Sequence, residues 1–216
     1  VDYLELTVAY DGLAVVVNPE NTWVDHLTLE ELKMLWEPDA QGKIMRWNQI
    51  RPEWPDEEIH LFGPGVASGT YDYFTESVVG ESGSSRGDFT ASEDDNVLVQ
   101  GIAGDKNAMG FFGLAYYEEN QAKLKLAGVN NGEKVVRPSL KTISDGSYTP
   151  LSRPLLIYVN KKSLESSEVI DFVDFYLEEA ANLAKDIGYV PLPAKEYERQ
   201  IQKFEDFKKK HSSPQE

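Results

Sequence analysis

The sequence predicts an α/β protein. Strand-like and helix-like patterns alternate along its 216 residues, as that class requires. A continuous apolar strand, "LLIYVN", lies late in the chain, and two long amphipathic patterns follow it. No internal repeat or low-complexity segment competes with this reading. The length suits one large domain or two small ones.

The opening "LELTVAYDGLAVVVNPEN" holds two strand-like runs, Leu4 to Ala9 and Leu13 to Val17. Asp11-Gly12 between them fits a tight hairpin, and equally one long kinked segment passing between lobes. In "HLTLEELKMLWEP", Thr28 and Glu31 have capping-box spacing, Leu27 and Leu32 have staple spacing, and Pro38 stops the helix. Pro52 and Pro55 mark a loop, and Glu58 to Phe62 reads as a strand. The next helix starts near Ser68 and runs to about Val79, with Gly80 as its C-terminal cap. A polar Gly/Ser loop follows. Ser92 and Asp95 have the spacing of a second capping box, opening the short helix "DDNVLVQGIAG". "NAMGFFGLAYYEEN" is expected to be buried and turn-rich. Lys123 to Asn131 and Glu133 to Leu140 read as strands about Asn131-Gly132, and "SDGSYTPLSRP" as a loop. The final helices are expected over Ser166 to Ile187, with Gly188 behind, and over Pro193 to Lys210.

Composition narrows the function. A formal net charge of −16 argues against duplex nucleic acid as a partner, because such binding draws on clustered Lys and Arg. With no cysteine there is no disulfide, thiolate metal site, iron–sulfur cluster or cysteine nucleophile. No apolar run reaches the roughly 18 residues of a membrane span. The chain opens on Val1 with a strand already under way, the expectation for a trimmed or processed chain.

Catalytic patterns are missing from the sequence. His26, His60 and His211 share no ligand spacing and read as surface or capping histidines; Gly-x-Ser-x-Gly, Walker and GxGxxG patterns do not occur. Neither a catalytic set nor a metal site nor a cofactor is expected. A phosphatase would need a nucleophile with an adjacent base, or a metal cluster. Arg86-Gly87-Asp88 is an adhesion tripeptide, and tripeptides recur by chance.

The stretch "FGPGVASGTYDYF" is the remaining candidate. Ser68 at a helix start can be a plain N-cap. It can also open an anion cradle: the first helical N–H groups lack partners within the helix and carry partial positive charge, so an oxyanion satisfies both conditions. Gly69 would let the backbone approach closely, and Ser68 and Thr70 would add hydroxyl donors.

The ordered series "AYDGLAVVVNP", "LTLEELKMLW", "GPGVASGTYDYF", "SSRGDFTASEDDNVLVQGIAGDKNAMGFFGLAYY" and "PLSRPLLIYVNKKSL…VIDFVDFYLEEAANLAKDIGYVPLP" resembles the phosphate-binding proteins of bacterial high-affinity phosphate ABC transporters. The branch it is most similar to is that of cyanobacteria and Gram-positive bacteria. The likeness runs from about Tyr3 to Phe204. It implies a type II periplasmic-binding-protein fold of two α/β lobes, with inorganic phosphate held in the cleft and delivered to membrane permease subunits. It implies a phosphate contact for Ser68, Gly69 and Thr70. Some members carry an arginine four residues before the serine, where this chain has Pro64; Arg86 is the substitute expected here, with Asp88 either holding it or serving as a loop residue. The resemblance implies a location in the periplasm or outside the cell, with or without a lipid tether.

Family members carry roughly a hundred further residues before "AYDGLAVVVNP", forming much of lobe one and supplying the carboxylate that accepts a proton from hydrogen phosphate. No residue here matches that carboxylate. The expected division is residues 1–17 as crossing strands and lobe-one remnant, 18–145 as the phosphate-binding lobe two, and 146–216 as return strand and lobe-one helices. Three consequences are expected: weak phosphate binding by the chain alone, tail-helix apolar faces exposed or covered by another copy, and no discrimination between phosphate and sulfate or molybdate from these residues.

Overall fold

The computed structural model describes residues 2–211. Asp11-Gly12 makes no turn: β1 is one strand, Tyr3–Val17. A two-residue hairpin needs left-handed backbone angles, and Gly12 is not among the glycines with positive φ. The strand stays extended because it has partners on both sides of this point. Leu13 donates its N–H to the Leu151 carbonyl at 2.9 Å. Residues 13–17 pair with β5, Ala108–Gly113, in antiparallel register, Leu13 opposite Gly113 and Val17 opposite Met109.

Gly12–Ser152 forms one compact unit, and the described residues on either side of it form a second. The first unit is built on β3 (His60–Pro64), β4 (Thr90–Ser92), β5 and the second half of β1, with β6 (Lys125–Leu126) at its edge. β3 is parallel to both β4 and β5, so all three point the same way. Each leads into a helix: α2 (Gly69–Val78), α3 (Asp95–Ala103) and α4 (Leu114–Glu119). Helix α1, Leu29–Trp36, packs on α2. Two shorter strands complete a small second sheet with β2 (His26–Thr28): β7 (Gly128–Asn130) and β8 (Val135–Val136). A short helix α5, Leu140–Ser144, which the sequence reading did not include, begins at the residue where the expected strand ended. Ser139 caps it by accepting the Thr142 N–H at 3.1 Å.

Aromatic side chains fill this unit. Trp36 meets Phe74, Phe89 and Phe111 edge-on at centroid distances of 5.4, 5.3 and 4.9 Å. Such edge-to-face pairs satisfy the ring quadrupoles as well as removing apolar area from water. β5 is buried as expected, but it is a strand and not a series of turns. Its glycine explains this: a Cβ on Gly110 would lie 2.5 Å from the Phe62 carbonyl oxygen, so glycine here allows β3 and β5 to approach.

In the second unit, β9 (Ser152–Asn160) pairs with β1, and α6 (Ser167–Asp186) and α7 (Ala194–His211) cover the pair. Leu6, Val8, Val159, Val173, Leu177 and Phe204 form the core. Buried Gln200 substitutes for a neighbouring strand, its Oε1 accepting the Thr7 N–H at 3.1 Å. Tyr197 donates its hydroxyl to the Val8 carbonyl at 2.8 Å. The far side of α6 is apolar and open: Phe172, Phe175 and Ile187 are 60, 58 and 68% exposed. A pocket of about 140 Å³ next to it is lined by Leu155, Ile157, Leu183 and Tyr189. Among the described residues no helix is long and apolar enough to cross a membrane.

Candidate functional site

Strand β3 ends at Pro64, and the chain turns through Val66 and Ala67 into α2. Ligands in open α/β sheets bind beyond the carboxyl ends of parallel strands, which is where this turn lies. Ser68 is the N-cap, with extended backbone at φ −85°, ψ 130°, and its hydroxyl oxygen accepts the Thr70 N–H at 3.2 Å. That leaves the Ser68 O–H as a donor. Thr70 Oγ1 makes no hydrogen bond among the described residues. The turn is fixed from behind: Ser68 donates its N–H to the Gly65 carbonyl at 3.0 Å, and Gly65 donates its own to the Ser92 carbonyl at 3.2 Å. At the far end Gly80 has φ +98° and donates to the Thr75 carbonyl, the left-handed cap expected from sequence.

Ser68, Gly69 and Thr70 are thus one helix start, partly open to solvent. Arg86 is not on that surface. It is 3% exposed, and its guanidinium is held within the protein. Nε and Nη2 grip Asp88 at 2.5 and 2.8 Å; Nη1 reaches the Leu35 and Ile44 carbonyls at 3.2 and 2.9 Å; Nη2 also meets Met45 Sδ at 3.4 Å. The hydrogen bond from Arg86 is the largest influence on Asp88 and lowers its pKa. Of the two roles open to Asp88, the geometry selects holding Arg86. A buried arginine also removes Arg86-Gly87-Asp88 as an adhesion tripeptide, which would have to present that side chain to a partner.

The electrostatic surroundings are acidic. The Glu93 carboxylate lies against Gly65, so that a side chain at residue 65 would collide with it. Burial pushes the Asp95 carboxyl up to about 6, with Asp94 and then Glu93 adding to the effect. The sequence reading of a Ser92–Asp95 capping box is displaced by two residues. Ser92 stays extended because it ends β4, opposite Pro64, and Asp94 caps α3 by accepting the Asn96 N–H at 2.9 Å. The run "SEDDN" could have signalled this crowding, since three consecutive carboxylates at a helix start cannot all cap it.

The other titratable candidates read from sequence do not join the cradle. His60 Nδ1 pairs with Asp105 Oδ2 at 2.5 Å, beside the start of β3. His26 sits 3.4 Å from Asp25, and the His211 ring packs on Phe207. Sequence reasoning missed the supports of the cradle. Tyr71, one residue past Thr70, bonds through its hydroxyl to the Gly83 carbonyl and to Ser85 Oγ, and stacks on Phe89.

Comparison with known proteins agrees with this architecture. The model of the PBP superfamily domain matches residues 2–180. A relative from Synechocystis sp., "Protein SphX", is 52% identical over 198 residues, covering 91% of this chain and 59% of the relative. "Phosphate-binding protein PstS" of Staphylococcus saprophyticus is 40% identical over 210 residues, covering 95% and 63%. The chain therefore spans about three-fifths of the length of these curated relatives. A crystal structure from Planctomyces limnophilus, described as a possible phosphate binding protein, superposes with a TM-score of 0.89 at 44% identity, over 96% of this chain and 73% of that one. By its family model, its α/β architecture and this structural likeness, the chain belongs to the PBP superfamily.

Proposed function

We propose that this chain is part of a solute-binding protein that captures inorganic phosphate outside the cytoplasmic membrane and delivers it to the permease subunits of an ABC transporter. The single observation that carries the proposal is the Ser68–Gly69–Thr70 triplet at the start of α2, beyond the end of parallel strand β3. Family membership and the phosphate-binding names of the relatives support it. Ser68 and Thr70 would donate hydroxyl protons, and the helix start would add backbone N–H groups and the positive end of its dipole. A neutral set of donors can hold a tetrahedral oxyanion through hydrogen bonds and the helix dipole. Arg86 is the further anion contact expected from sequence. Its guanidinium is engaged with Asp88 and two carbonyls, and we assign it no direct contact.

Binding and release complete this function, with no catalytic step. Sulfate and molybdate are the competing ligands, because the triplet alone offers donors to any tetrahedral oxyanion. The open apolar side of α6 is where a second copy would associate. Sedimentation of the chain with Phe172→Ser and Phe175→Ser tests that part: the account expects any dimer of the unaltered chain to dissociate.

Calorimetry and amide chemical shifts with phosphate, sulfate and molybdate test the main proposal. Saturable phosphate binding that Thr70→Val weakens is expected. Because the triplet does not discriminate among tetrahedral oxyanions, comparable sulfate binding is expected as well, and only clearly tighter binding of sulfate would transfer the assignment to that anion.

A further inference from the structure

We infer that Arg86 and Asp88 are a positioning pair that fixes the cradle of α2 from behind. The inference rests on the reading of that cradle as an anion site. Arg86 has five N–H donors, and five acceptors meet them: both Asp88 oxygens, the Leu35 and Ile44 carbonyls, and the Met45 sulfur. Turning the guanidinium toward a ligand would break all five of these contacts, strand the Leu35 and Ile44 carbonyls, and leave a buried cation to find new partners. Leu35 lies in the last turn of α1, where a cation also complements the helix dipole.

The pair pins its own loop to the segment after α1 at three further points. Arg86 N–H donates to the Trp36 carbonyl at 2.9 Å, Gly87 N–H to Gln41 Oε1 at 2.9 Å, and Gly42 N–H to Asp88 Oδ2 at 3.2 Å. From this anchor the loop reaches the cradle in both directions. Upstream, Gly83 donates to Thr75 Oγ1 at 2.8 Å, and Gly83 and Ser85 hold the Tyr71 hydroxyl at 3.2 and 2.7 Å. Downstream, Phe89 stacks on Tyr71, and β4 ends at Ser92, whose carbonyl fixes Gly65. The segment carrying Arg86 therefore grips the cradle at residue 71 on one side and residue 65 on the other.

Amide spectra of the chain with Arg86→Lys, Asp88→Asn and both together provide the test, first without phosphate and then titrated with inorganic phosphate. Lysine cannot reproduce the two-pronged grip, and asparagine is nearly isosteric with Asp88, so the milder variant keeps the test usable if Arg86→Lys does not fold. Without phosphate, the Gly69 and Thr70 amide signals should move in each single variant. Phosphate affinity should fall by a similar factor, about tenfold, in each, and no further in the double variant, because partners acting as one unit are not additive. Asp88→Asn with unaltered affinity beside a weakened Arg86→Lys would overturn the inference and make Arg86 a direct ligand. Unmoved Gly69 and Thr70 signals with unaltered affinity in both variants would reduce the pair to plain stability. If phosphate moves no signal in the unaltered chain, the anion-site reading fails, while the phosphate-free spectra still decide the positioning claim.

Discussion

Ser68 combines two roles that substitutions can separate. Its oxygen caps α2 through the Thr70 N–H, and its proton remains for a ligand. Ser68→Ala should cost about 1 kcal/mol of stability, whereas Ser68→Gly should cost only a few tenths, since glycine is an acceptable N-cap. Both remove the hydroxyl, so both should weaken phosphate binding. Urea unfolding paired with a phosphate titration separates the effects; full affinity in Ser68→Gly would leave Ser68 as a cap alone. A second residue-scale prediction concerns Asp95. Its carboxyl is raised from 3.8 to about 6 in the fold, by burial first and then by Asp94 and Glu93. Between those values the folded protein holds a proton that the unfolded chain has released, so stability falls as pH rises through this window. Two pKa units would be worth about 3 kcal/mol for a fully buried group, and partial exposure reduces this to about 1 kcal/mol. Asp95→Asn should therefore stabilise at pH 8 and do little at pH 4. Urea midpoints at both values check this, and an equal change at both would contradict it.

At the scale of elements, local chemistry was legible where it acts alone. The Thr28–Glu31 box forms as spaced, with Glu31 accepting the Thr28 N–H at 2.8 Å and Thr28 accepting the Glu31 N–H at 3.1 Å. Helix α2 starts and stops where its cap and Gly80 indicate. Long-range pairing overrides local signals elsewhere. Asp11-Gly12 has turn chemistry, but β1 continues through it as one strand, and residues 13–17 pair with a strand distant in sequence. Ser92 has capping chemistry, but the β3–β4 ladder claims it. The triplet was legible as a helix start from spacing, and the phosphate contact proposed for it came from the resemblance. The inward-turned Arg86 was not, because its acceptors at Leu35, Ile44 and Met45 lie more than forty residues away in sequence. Gly110→Ala tests the close approach of β3 and β5. Its Cβ would meet backbone at 2.5 Å, so thermal unfolding should show a loss of about 1–3 kcal/mol. An unaltered midpoint would mean that the strands can separate without cost.

At the scale of the molecule, an anion is proposed to bind a chain of net charge −16. The field of the whole protein opposes the ligand at long range, and the cradle attracts it only through nearby dipoles. Added sodium chloride screens the long-range part, over about 8 Å at 0.15 M, and barely touches contacts at hydrogen-bond distance. Phosphate association should accordingly quicken as salt rises, and stopped-flow mixing would show it. Slowing with salt would point to a cationic site instead.

The most direct measurement is an amide chemical-shift titration of this chain with inorganic phosphate, beside a chloride control. The account predicts saturable shifts centred on the N–H groups of Gly69, Thr70 and Tyr71 at the start of α2, diminished in Ser68→Gly and Thr70→Val. Absent shifts at those groups, or shifts that chloride reproduces, would contradict it.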